Sequence, residues 1–110
     1  MYEYSAEIVY IVDGDTVDAV IDLGFGVHIT QRLRLSGINT PEVRGPEREA
    51  GLAAEEHLKL LIDQNKPITI LTEQDKRGKF GRYLATLIGR YPESKNINEQ
   101  MIQDGHAKLY

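Results

Sequence analysis

Apolar and polar residues alternate in short runs along most of the chain and switch to helical spacing only twice. The run from Ser5 to Val12 is rich in strand-forming residues and ends at Asp13-Gly14, a strong turn signal. Alternation resumes over Thr16–Asp22, with Val17, Ala19 and Ile21 on one face and Asp18, Val20 and Asp22 on the other. Gly24 and Gly26 bracket a second turn around Phe25. Beyond it Val27, Ile29, Gln31, Leu33 and Leu35 alternate with His28, Thr30, Arg32 and Arg34, the period of a half-buried strand. Three strands joined by tight turns predict an antiparallel meander.

Gly37 to Gly45 reads as a loop, with Pro41 and Pro46 as punctuation. Pro46 fits the first turn of a helix running to about Gln64, and Glu47 and Glu49 lie where the helix dipole favours acids. Ala50, Ala53, Ala54, Leu58 and Leu61 supply its buried stripe. Asn65-Lys66-Pro67 stops it, and a fourth strand follows to Thr72. After a polar, basic loop over 73–80, a fifth strand runs from Gly81 to Gly89. Asn96 or Asn98 caps a short helix with Ile97, Met101 and Ile102 inward and Gly105 as its stop. The class is therefore α+β, mainly β. The connectivity is that of a five-stranded OB-fold barrel with a helix between strands three and four and a short C-terminal helix. At 110 residues, one domain over 1–110 is expected.

Composition narrows the function classes. No apolar run approaches the ~20 residues of a membrane-spanning helix, so no membrane partner is expected. Zero cysteines leave no disulfide, thiolate metal site or Cys nucleophile. The acidic N-terminus lacks the basic and apolar regions of a signal peptide, which would place a complete chain in the cytoplasm; the compartment is otherwise open. A net charge of −4 argues weakly against nucleic acid as a partner, yet the distribution matters more. Residues 1–22 hold six acids and no Lys or Arg, whereas residues 76–90 hold five cations and no acid. A cationic loop can grip a polyanion locally, with salt weakening the grip.

Three loops carry candidate chemistry. Asp15, in Asp13-Gly14-Asp15-Thr16, offers a hard oxygen to Mg²⁺ or Ca²⁺, although Asp and Gly also simply make tight hairpins. Asn39-Thr40-Pro41-Glu42 adds a neutral amide oxygen and a carboxylate beyond a rigid proline, a suitable place for a base that orients water. Arg34, with Arg82 from Lys79-Phe80-Gly81-Arg82, can clamp a phosphate and offset charge growing on it, if both face one site. His28, His57 and His106 are too widely spaced for a metal set and read as structural or surface residues. Tyr83, Tyr91 and Tyr110 can stack on bases or belong to the core.

Taken together, Val12-Asp-Gly-Asp-Thr-Val17, Arg34-Leu-Ser-Gly-Ile-Asn-Thr-Pro-Glu42 and Asp75-Lys-Arg-Gly-Lys-Phe-Gly-Arg-Tyr-Leu84 resemble the staphylococcal nuclease (thermonuclease-like) family. Asn98 to Ala107 is similar to its closing helix. The resemblance implies an OB-fold calcium-dependent phosphodiesterase. It places catalytic roles on Arg34, Glu42 and Arg82, calcium ligation on Asp15, Asn39 and the Thr40 carbonyl, and nucleotide contacts on Lys79 and Phe80. Asn39 departs from the family's usual Asp, which implies weaker calcium binding.

The expected function is thus a Ca²⁺-dependent nuclease acting on single-stranded or flexible DNA and RNA, as a monomer. The alternative is a non-catalytic nucleic-acid-binding OB-fold module with a weakened metal site. A third reading is a protein-interaction domain working through the acidic N-terminal hairpin. Retention of Arg34, Glu42 and Arg82 favours activity, because neither rival needs all three.

Overall fold

The computed structural model describes residues 2–75, 83–89 and 94–110. Strands β1 (Tyr2–Asp13), β2 (Thr16–Asp22) and β3 (His28–Leu35) form the expected antiparallel meander. Two-residue β4 (Ile38–Asn39) follows, then a 3₁₀ turn (Gly45–Glu47) and helix α1 (Arg48–Gln64). Next come β5 (Ile68–Gln74), β6 (Tyr83–Gly89), β7 (Lys95–Asn96), α2 (Ile97–Gln103) and β8 (Lys108–Leu109). The main sheet runs β3-β2-β1-β5-β6-β7, and a parallel pairing of Leu33–Leu35 with Tyr83–Ala85 joins its two flanks. Five strands thereby close into a barrel with two helices, the OB-type architecture.

Alternation decides what fills the barrel. Val17, Ala19, Ile21, Leu33, Leu35, Ile70, Ala85 and Leu87 point inward and are buried. Their outward neighbours remain polar: Arg32 on β3 binds Asp18 on β2 at 2.8 Å, an exposed pair of small energetic value. β1 carries a register shift between Ile8 and Tyr10, a bulge that leaves both Val9 and Tyr10 exposed.

Helix α1 packs on β1 and α2. Its buried face is Gly51, Ala54, Leu58, Leu61 and Ile62, which corrects the predicted stripe: Ala50 and Ala53 are exposed. Pro46 lies in the 3₁₀ turn ahead of the helix rather than in its first α-turn. Leu58 is fully buried, a contribution of ~1.5–3 kcal/mol for a side chain of this size. Asn65 ends α1 by donating its side-chain amide to the Leu61 carbonyl at 2.7 Å.

Of the two candidate caps for α2, Asn96 is the cap, its side chain accepting from the Glu99 N–H at 3.1 Å. Asn98 is buried and bridges elements instead. Its amide oxygen accepts from Leu87 N–H at 3.0 Å, and its nitrogen donates to the Ser36 and Ala85 carbonyls at 2.9 and 3.0 Å. A cap position became a rivet between α2, β6 and the 36–37 turn.

The helix face depends on glycine at position 51. A Cβ built there would lie 2.1 Å from the Glu42 carbonyl oxygen and 2.8 Å from the Val43 nitrogen, both backbone atoms. Gly51→Ala is accordingly expected to destabilise the protein by about 1–3 kcal/mol through overpacking, outweighing the ~1 kcal/mol by which alanine favours a helix. Urea unfolding checks this; a gain in stability would show that the 42–43 loop yields freely.

Candidate active site

The β1–β2 turn inserts Asp15 into the space between β3 and the loop that follows it. Asp15 is 7% exposed. Its Oδ2 accepts the Thr40 N–H at 3.0 Å and lies 3.4 Å from Arg34 Nη2, while Oδ1 accepts the Thr16 hydroxyl at 3.1 Å. The Asp15 carbonyl takes the Leu35 N–H at 2.7 Å and an Arg34 Nη1 donor at 3.3 Å. Through main chain and side chain together, this residue fastens the turn to β3 and to Thr40. Gly14 makes the approach possible, since a Cβ there would meet Ala54 Cβ and Thr40 Oγ1 at 2.9 Å.

Arg34 points outward from β3 and is nearly enclosed, with 13% of its side chain exposed. Its guanidinium also donates to the Leu35 carbonyl at 3.1 Å and to Asn39 Oδ1 at 3.2 Å. The Tyr110 ring sits 5.3 Å from its carbon, a cation–π contact. Tyr110 is held there because β8 pairs with β4, setting Lys108 opposite Asn39, and because the Tyr110 N–H donates to the Gly37 carbonyl at 2.9 Å.

Four predicted positions therefore meet: Asp15, Arg34, Asn39 and Thr40. Glu42 is exposed on the same loop and has no hydrogen-bond or ion-pair partner among the described residues. It lines a cavity of about 210 Å³ with Asn39, Thr40, His106 and Lys108. Lys79, Phe80 and Arg82 lie outside the described residues. Thr40 Oγ1 is buried without a hydrogen-bond partner among the described residues.

Two features went unread in the sequence. Asp13 is pressed against Asp15. Burial first, then its hydrogen bond to Asp15 and the charge there, push its carboxyl from 3.8 up to about 6. Burial works against the Asp15 charge too, but hydrogen bonds from the Asp13 carboxyl and Thr40 N–H, with the Arg34 charge and Thr16 hydroxyl, hold that carboxyl below its ordinary value. Behind the cavity, His57 on α1 contacts Asp104 at 2.7 Å and stacks on His106, with ring centroids 4.3 Å apart. His57 and His106 thus join α1 to the end of α2, a structural role that spacing alone could not pair.

The profile of the staphylococcal nuclease homologue family matches residues 32–110. The chain belongs to that family. It is a family of nucleases and nucleic-acid-binding proteins. Protein ParB of Escherichia coli is 30% identical over 114 residues, covering 98% of this chain and 58% of the relative. The chain thus spans somewhat more than half the length of that curated relative.

Members of the family typically depend on calcium. The oxygens gathered here, from Asp13, Asp15, Asn39 and Thr40, are hard donors of the kind that ion takes. Two adjacent carboxyls, one of them buried, also create a demand for positive charge. Among the described residues no three acidic or histidine side chains converge on one point. The set fits a hard cation in kind while being short of negative charge.

A carboxyl whose folded-state pKa is raised stabilises the fold fully below the unfolded value, and that contribution disappears as pH rises through the folded one. For Asp13 the window is 3.8 to about 6. In EDTA, Asp13→Asn is expected to melt higher than the parent at about pH 7, with the advantage gone by about pH 4. A pH-independent difference would show that the two carboxyls do not compete for one proton.

Proposed function

We propose that this chain is a calcium-dependent phosphodiesterase, a nuclease acting on single-stranded or flexible DNA and RNA, working as one monomeric domain over 1–110. The observation that carries the reading is the enclosed Arg34 guanidinium, shared between Asp15 and Asn39, with Glu42 exposed three residues beyond Asn39 and unpaired among the described residues. Phosphodiester hydrolysis needs both kinds of group, a fixed cation for the growing phosphate charge and a carboxylate that can take a proton from water.

Arg34 already presents its donors toward the two residues, Asp15 and Asn39, that would flank a substrate phosphate. Exchanging those contacts for phosphate oxygens keeps its hydrogen bonds satisfied and places a fixed positive charge where negative charge accumulates. Tyr110 beneath the guanidinium restrains its plane during that exchange. Glu42 orients a water and takes its proton as the water oxygen bonds to phosphorus and the bridging P–O bond breaks. When bound by Asp15, Asn39 and the Thr40 carbonyl, Ca²⁺ supplies Lewis acidity that neutralises a phosphate oxygen. By resemblance, Arg82 adds a second guanidinium, and Lys79 and Phe80 contact the nucleotide.

One observation favours a second reading, the non-catalytic nucleic-acid-binding module. Asn39 gives the site one acid fewer, and its amide oxygen is already engaged by Arg34.

The deciding experiment is digestion of labelled single-stranded DNA across a calcium titration with an EDTA control. Cleavage should require calcium, and Arg34→Ala and Glu42→Ala should each lower it by at least ~10²-fold while leaving the fold intact. Binding without cleavage even at millimolar calcium would favour the binding module. Asn39→Asp is expected to tighten calcium binding in calorimetry, because it restores a charge to the donor set. An unchanged affinity would remove position 39 from the metal's surroundings.

A further inference from the structure

The barrel has a second concave surface, on the inner side of the wall that carries Arg34. At the open end of the strands a cavity of about 380 Å³ is lined by Tyr2, Tyr4, Leu23, Ile29, Gln31 and Tyr83, with Leu33 at its inner wall. Inward-facing positions at the end of a barrel normally disappear under a cap of apolar residues. Here Tyr2 is 70%, Ile29 42% and Tyr83 40% exposed. The Tyr2 and Tyr4 rings stack 6.5 Å apart at 27°. Leu23 in the lining, 39% exposed, extends this apolar surface toward the β2–β3 turn. Contiguous exposed apolar surface of this kind marks a binding site.

The lining selects the occupant. Gln31 is half-buried among these rings, and its amide has no hydrogen-bond partner among the described residues. An aliphatic chain would cover that amide and leave it unpaired, which is costly. A flat ring with polar edges stacks on tyrosine and satisfies the amide as well. The position supplies the rest. Leu33 of β3 pairs with Tyr83 of β6 and both line the cavity, while Arg34 follows Leu33 on the opposite face. A strand whose phosphate rests on Arg34 therefore lies one residue along β3 from that lining and can lay a neighbouring base into the mouth.

We propose that this mouth is a base-binding subsite for single-stranded nucleic acid, stacking a base on Tyr2, Tyr4 and Tyr83 with its edge read by Gln31. The proposal rests on the nuclease reading for the strand held at Arg34. It adds a reason for single strands: a paired base would first have to unpair and unstack to enter the cavity.

The test measures binding in EDTA, separately from cleavage in calcium. Fluorescence anisotropy compares labelled oligothymidylate with an abasic backbone of equal length. The parent protein should prefer the base-bearing strand, and Tyr2→Ala and Gln31→Ala should each erase roughly fivefold or more of that preference without changing affinity for the abasic backbone. Tyr2 is mostly exposed, so its variant tests binding rather than folding. Equal loss on both strands, or no loss, overturns the base subsite even where calcium-dependent cleavage is intact. Absent cleavage with the preference retained would instead sink the nuclease reading and leave the subsite standing. A concentration-dependent dimer in sedimentation that Tyr2→Ala dissolves would assign the mouth to a second copy of the chain and overturn the proposal.

Discussion

The carboxylate of Asp15 is the constraint on which the rest of the site depends. It takes the Thr40 N–H, the Thr16 hydroxyl and the Arg34 charge, while its main-chain carbonyl holds Leu35. Each bond to an ionised acceptor is stronger than a neutral one, and burial raises the stake, because an unpaired charge there would be expensive. The turn, the third strand and the loop carrying Glu42 are thereby brought into register by one side chain. Arg34 is the necessary counter-ion. Without it, two adjacent acids would meet with one of them, Asp15, buried and uncompensated by that charge.

The barrel makes this economical. Parallel closure of β3 onto β6 leaves β3 with neighbours on both sides, so its outward Arg34 is carried on a rigid element while its inward neighbours Leu33 and Leu35 anchor the core. The two surfaces of one strand thus differ in character: a guanidinium outside, apolar rings at the mouth inside. β8 completes the outer side by bringing Lys108 opposite Asn39 and Tyr110 over Arg34.

Strong periodicity was legible. β2, β3, β5 and β6 alternate because one face fills the barrel, and their inward residues could be named from sequence. The two-residue strands β4, β7 and β8 could not be read, since pairing that short has no period and arises from tertiary docking. The stripe of α1 was misjudged at Ala50 and Ala53 because alanine fits either face; Gly51 is inward for close approach to Glu42, which hydrophobicity does not encode. Asp15, Arg34, Asn39 and Thr40 were found as motifs and are neighbours in space. The raised Asp13 carboxyl and the His57–Asp104–His106 contact were missed, for they depend on distances between residues rather than on either residue's type.

Gly14, Gly51 and Ala54 deserve comparison with the charges they surround. Where the acid turn, the helix and the glutamate loop touch, there is no room for another carbon. Their mutual spacing is therefore set by hard-core repulsion between atoms, a force that neither salt nor protonation screens. The helix behaves as a gauge block. Ionic conditions can retune the charges at this site while the separation between its walls stays the same.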